Sequence, residues 1–188
     1  GTAKFGSIGG NTVNNMFHYK NSSLMDGLAI GVSLAPSDGT NLEATTSFGV
    51  TYTGVEGLTA KYAVSDEVGT TTALSGDQTV WHLSYVYGPV TVSASNSDFD
   101  VGTSTSDQET SSFAVSYTIS DELSVTYGED TIEKGGDPTD AEYSVIKASY
   151  TAGGMTLTAN MKEGENVDHT TNSSADFEYW GLSASFAF

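Results

Sequence analysis

Cysteine and arginine are both absent from this chain of 188 residues, and proline occurs only three times. Without cysteine the chain can form neither a disulfide framework nor a thiolate metal site. Six lysines against 24 acidic residues leave a formal charge of −18, so the chain lacks the basic face with which proteins neutralise nucleic-acid phosphates. We therefore expect no nucleic-acid partner.

Long apolar runs and helical periodicity are also missing. A transmembrane helix needs about 18 or more consecutive apolar residues, and no such run occurs. Apolar and polar residues instead alternate along short segments, which is typical of β-strands with two different faces, and we expect strands of about nine to eleven residues. A hydrophobic content of only 37% fits strands that face lipid on one side and water on the other.

The stretch 177–188 shows this alternation most clearly. Its apolar set has aromatic residues at both ends, and the interleaved set is small and mostly polar. The strands of a transmembrane barrel show apolar side chains to lipid, with aromatic girdles at both interfaces. This pattern favours a barrel strand over a soluble sandwich strand; the apolar set is Trp180, Leu182, Ala184, Phe186 and Phe188.

Ten further segments alternate in the same way, so we predict an all-β transmembrane antiparallel β-barrel with about 11 strands in a single domain over 1–188. The connections between them alternate between short turns and longer loops, as in outer-membrane barrels.

We interpret 1–10 as a loop or the end of an upstream element, and the chain as a mature or partial one. The acidic residues cluster in the longer connections. The ten segments lie at about 12–20, 28–34, 44–52, 58–64, 79–87, 90–94, 113–119, 123–127, 144–150 and 155–161.

The strand alternation places each basic residue of these segments on the polar face. A lysine on the lipid face near the midplane costs about 2–4 kcal/mol, so this placement is expected on energetic grounds. Such lysines either form a positive wall that acts on passing ions or only bond to neighbouring wall groups. The predicted pore-lining residues are Lys61, Lys147, Lys162, His82, His18 and Lys20, and the predicted membrane-interface aromatics are Trp81, Trp180, Phe186 and Phe188.

Two stretches resemble Gram-negative outer-membrane proteins. The terminal strand ending on Phe188 resembles the carboxy-terminal strand of outer-membrane barrels, and 11–28 resembles a mid-barrel hairpin of general porins without its Arg and Pro. The resemblance implies the carboxy-terminal part of a 16-strand barrel in the bacterial outer membrane, with 177–188 as the closing strand. It also implies a homotrimer, contact with lipid and lipopolysaccharide, recognition of the terminal strand by the barrel-assembly machinery, and no cofactor.

The function expected of such a barrel is a water-filled channel for passive diffusion of ions and small hydrophilic solutes. Acidic loops around its mouth would give a mild cation preference. Loops at about 98–107 and 129–140 are also rich enough in oxygen to suggest Ca²⁺, although no ligand can be named.

Catalysis is not expected, because His18, His82 and His169 are scattered and no catalytic motif accompanies them. Two alternatives stay open at this point. One is a barrel with another task, such as an autotransporter translocator or a barrel enzyme. The other is a secreted β-sandwich module that binds carbohydrate or Ca²⁺.

Overall fold

A computed structural model describes residues 17–36, 44–67, 76–101, 105 and 107–187. These residues form one sheet of 11 antiparallel strands and contain no helix. The strands are β1 (Phe17–Met25), β2 (Leu28–Ala35), β3 (Thr45–Tyr52), β4 (Leu58–Glu67), β5 (Gly76–Tyr87), β6 (Val90–Val101), β7 (Gln108–Thr118), β8 (Leu123–Lys134), β9 (Ala141–Ala152), β10 (Met155–Glu165) and β11 (Phe177–Phe186).

Strands that follow one another in the chain are neighbours in the sheet, which makes the sheet a simple meander. The connections alternate between turns of two to five residues and loops of six to eleven. The sheet is open within the described residues, with β1 and β11 at its two ends. The predicted all-β antiparallel architecture, with about 11 strands, is confirmed.

Several strands extend further than the sequence analysis predicted. The first strand continues through the predicted connection to Met25 and turns at 26–27. On the loop side, β6 reaches Val101 and β8 reaches Lys134, where the sequence suggested acidic loops. Polar and charged residues at these strand ends interrupt the apolar alternation, so the alternation alone did not indicate that the strands continue. Residues 1–10, the start of the segment at 12–20, and Phe188 lie outside the described residues.

The sheet has almost no conventional core. Among the described residues only five apolar side chains are buried, and all are Ala or Val. Most of the large apolar side chains are instead exposed on one face of the sheet, Trp180 by 79% and Leu182 by 69%. A protein in water does not leave such an extended apolar face uncovered, whereas lipid covers that face of a membrane barrel.

Gly57, in the turn between β3 and β4, has a φ of 77° and lies against the neighbouring hairpin. An added Cβ would come within 2.4 Å of the Val86 backbone oxygen, whereas a Cβ on Gly88, whose φ is 56°, would meet nothing within 4 Å. Both Gly57→Ala and Gly88→Ala carry the left-handed strain of about 1–2 kcal/mol. Only Gly57→Ala adds a steric conflict, which costs about 1–3 kcal/mol more. Urea unfolding in detergent micelles should show the larger loss for Gly57→Ala, and equal losses would contradict this account of the turn.

Candidate channel wall

The strand pairing gives the sheet two chemically different faces. Directly opposed residues lie on the same face, so each cross-strand row can be followed around the sheet. We call the face that carries Lys61 the inward face and the other the outward face. One cavity of about 370 Å³ takes lining residues from β4 to β9, including Lys61, His82, Ser95, Thr126 and Asp130. Strands so far apart can share a cavity only on the concave side, which makes the inward face concave.

The structure places all six predicted pore-lining residues on the inward face. Lys61 pairs directly with His82 across β4 and β5. The others lie opposite mostly small or polar residues: His18 opposite Ser33, Lys20 opposite Gly31, Lys147 opposite Thr126 and Asn160, and Lys162 opposite Val145 and Tyr179.

The rest of the inward face is lined mainly by small hydroxyl residues. Ser116 and Thr126 share a hydrogen bond of 2.8 Å, and Thr151 and Thr156 share one of 2.9 Å. Short side chains that bond to one another take up little of the space on the concave side, and their hydroxyl groups are compatible with water. The arrangement is suited to a water-filled passage.

The predicted interface aromatics within the described residues lie on the outward face. Trp81 pairs with Tyr62 and Asn96, Trp180 pairs with Met161, and Phe186 pairs with Met155. Two aromatic bands result, one near the loops and one near the short turns, with an apolar zone between them. This is the outward pattern of a transmembrane barrel. The loop-side band contains Phe48, Tyr62, Trp81, Phe113, Tyr127 and Trp180, and the turn-side band contains Tyr52, Tyr85, Tyr87, Tyr117, Tyr150 and Phe186.

Beyond the loop-side aromatic band, the outward face changes from apolar to acidic. Eleven carboxylates form this acidic belt, and several are direct cross-strand neighbours, such as Asp98 with Glu109 and Glu163 with Glu178. Thr46 Oγ1 donates to Asp66 Oδ2 at 2.9 Å, and Asn96 Nδ2 donates to Glu109 Oε1 at 2.6 Å. The belt consists of Asp66, Asp77, Asp98, Asp100, Glu109, Glu129, Glu133, Glu142, Glu163, Glu165 and Glu178.

The acidic belt corrects the predicted placement of ten of these residues in the longer connections; Glu178 was already expected in the closing strand 177–188. All eleven are strand residues, and they face away from the concave side. The apolar alternation covers only the middle of each strand, so the acids at the loop-side strand ends were predicted to be loop residues. Continuing the same two-residue count beyond the apolar residues would have put them on the outward face.

The inward face also carries four aromatic residues that were not among the predicted pore-lining residues: Phe99 on β6 and a group of three on β9 and β11. Tyr143, Phe177 and Tyr179 lie near the loop ends of β9 and β11, and their rings form a row. Counting back from Phe186 puts Tyr179 and Phe177 on the polar parity, so the alternation itself contained the signal. Their closeness to Tyr143 depends on the cross-strand register and could not be read from the chain.

A family model described as Gram-negative porin matches residues 1–188. The chain belongs to this family. The porin chain is therefore placed in the bacterial outer membrane, as the sequence analysis predicted. A search of curated proteins found no match.

Solved structures show the same fold at low sequence identity. A porin refined at 1.8 Å resolution is 16% identical, with a TM-score of 0.66 over 92% of this chain and 60% of that one. OmpF of Salmonella typhi in complex with daunomycin is 13% identical, with a TM-score of 0.68 over 90% and 61%. OmpT, an outer membrane protein of Vibrio cholerae, is 17% identical, with a TM-score of 0.57 over 91% and 63%. This porin chain thus spans about three fifths of each neighbour, and its predicted barrel fold is confirmed.

The remaining histidine of the porin lies in the loop between β10 and β11. His169 has a φ of 56°, and its Nδ1 lies 3.1 Å from the Thr139 carbonyl oxygen. Within the described ranges no group of three or more His, Asp or Glu side chains is arranged to hold a metal ion. The same residues include no helix long and apolar enough to cross a membrane.

Proposed function

We propose that this chain forms part of the wall of a water-filled channel that lets ions and small hydrophilic solutes diffuse passively across the outer membrane. The observation that carries the proposal is the separation of side chains by face. The lysines and most of the serine and threonine residues face the concave side, whereas most of the large aromatic and aliphatic residues face outward. Membership of the Gram-negative porin family supports a channel rather than an enzyme.

The assembly proposed for the channel is a homotrimer in contact with outer-membrane lipid and lipopolysaccharide. We also propose that β11 is the strand recognised by the barrel-assembly machinery and that the complete barrel has 16 strands. The resemblance to general porins supports these proposals. The exposed apolar side chains of β11, such as Trp180 and Leu182, suit either lipid or a neighbouring subunit.

A mild cation preference is part of the same proposal. The acids that remain in the longer connections, such as Asp137, Asp140 and Asp168, support it, because negative charge around a mouth concentrates cations. The positive charge of the inward lysines acts against this cation preference. No cofactor is needed for passive diffusion, and Ca²⁺ binding near the acidic residues stays a prediction without named ligands.

Single-channel recording of the purified native protein in a planar bilayer tests this function. We expect discrete conductance steps in groups of three and, under a salt gradient, a reversal potential that favours cations. The protein should also migrate faster on a gel unheated than boiled. A folded sample that never conducts would contradict the channel, whereas an anion-favouring reversal potential would contradict only the ion preference.

A further inference from the structure

The inward row of aromatic rings differs from the rest of the channel wall. Tyr143 and Phe177 have ring centroids 6.3 Å apart with a 43° interplanar angle, and Phe177 and Tyr179 have centroids 5.7 Å apart with a 32° angle. Phe177 is 37% exposed and Tyr179 is 48% exposed. The rings therefore offer accessible apolar surface on a wall otherwise made mostly of small polar side chains.

Gly164 of β10 lies between the ring of Tyr143 on β9 and the rings on β11. It pairs with Tyr143 on one side and with Phe177 on the other. An added Cβ would lie 2.6 Å from Phe177 Cε1, so the Phe177 ring lies across the glycine and extends toward Tyr143. An aromatic ring that covers a strand glycine stabilises the sheet, and this role accounts for the position of Phe177. It does not explain why Tyr179 continues the row.

The rings border a cavity of about 380 Å³, within the range of about 300–1,000 Å³ that is usual for small-molecule sites. Lys162, Asp130 and Glu163 are the charged residues that line the same cavity. Glu163 belongs to the outward acidic belt, so only Lys162 and Asp130 present charged side chains on the inward face. Lys162 Nζ lies 5.8 Å from the centroid of the Tyr179 ring. The cavity thus combines flat apolar surface with one cationic donor, one carboxylate and two phenol hydroxyls.

The geometry points to a binding site for the sugar ring of a small neutral saccharide at this cavity, which we call the aromatic site. One face of a pyranose presents C–H bonds of partial positive charge, which suit the negative face of an aromatic ring. The rim of the same sugar carries hydroxyls, which accept from Lys162 and donate to Asp130. Because the two charged groups have opposite sign, the site favours an uncharged ligand. The inference rests on the proposed channel and names one solute class for it.

Titration of maltotriose against the detergent-solubilised native protein, followed by saturation-transfer NMR, tests this site without requiring conduction. We expect saturation of the sugar ring protons, with maltotriose binding more tightly than the open-chain polyol sorbitol. Tyr179→Ser should weaken maltotriose binding by about threefold to tenfold, which corresponds to loss of one aromatic contact. Lys162→Gln should also weaken it.

Two matched variants serve as controls. Tyr117→Ser removes an outward tyrosine with the same 48% exposure as Tyr179, and Lys147→Gln removes an inward lysine that is not among the residues lining this cavity. Both should bind maltotriose as the wild type does, and migration of unheated samples on a gel verifies folding.

Two results would overturn the inference: equal behaviour of maltotriose and sorbitol, or folded Tyr179→Ser protein that binds maltotriose normally. Either result together with normal conductance would leave the channel proposal intact. Sugar binding by a protein that never conducts would instead support the site and contradict the channel.

Discussion

Replacing Ala159 with lysine is expected to prevent most of the protein from reaching its folded, membrane-inserted form. Ala159 is an outward residue of β10, paired with Ala148 and Leu182. It lies four residues from Met155, at the turn end, and four from Glu163, in the acidic belt, and so near the middle of the apolar zone. A lysine at this depth costs about 2–4 kcal/mol. We expect the loss to appear as a reduced fraction of fast-migrating, unheated protein after refolding into vesicles.

The neighbouring position provides a control with the same change in charge. Thr158 faces inward between Ser149 and Ser183, where an added ammonium group would meet water. Thr158→Lys should therefore refold about as well as the wild type. Equal refolding of Ala159→Lys and Thr158→Lys would contradict the assignment of the two faces.

Neutralising the inward lysines is expected to shift the channel toward cations. We consider a triple variant with Lys61, Lys147 and Lys162 each changed to Gln, because all three share the inward face. Two unit charges 4 Å apart in water interact by about 1 kcal/mol, so the cation-to-anion permeability ratio should rise by roughly twofold to fivefold. The reversal potential under a salt gradient measures this ratio.

A carboxylate of the acidic belt provides the comparison. Glu142 faces outward between Thr131 and Glu165, so the barrel wall separates it from the passage, and salt screens charges beyond about 8–10 Å. We expect Glu142→Gln to leave the permeability ratio almost unchanged. An equal or larger effect of Glu142→Gln would show that the outward acids, rather than the inward lysines, control the passing ions.

The positions of the lysines and tryptophans show how much of the wall follows from sequence alone. The face of Lys61, His82, Trp81 and Trp180 could be predicted because successive strand residues point to opposite sides, and this rule needs only the local chain. The alternation of short turns and long loops was equally local. It indicated the meander before any pairing was known.

The ends of the strands were less predictable for a physical reason. A strand continues as long as its backbone finds a partner, and the residues at 98–101 and 129–134 find partners in β5, β7 and β9 although their side chains are polar. The apolar pattern stops earlier, where the outward face leaves the lipid. For this reason acidic residues that were predicted to lie in loops are strand residues of the outward acidic belt.

The sequence by itself therefore determined an all-β, two-faced chain with its lysines on one side and its aromatic bands on the other, because alternation is a property of neighbouring residues. Only the tertiary structure decided which residues of different strands lie side by side. Cross-strand register placed Phe177 over Gly164 and next to Tyr143, and it set Lys162 beside Tyr179. Such neighbours depend on the pairing of strands, and pairing is fixed by the hydrogen-bond ladder of the whole sheet rather than by any one segment.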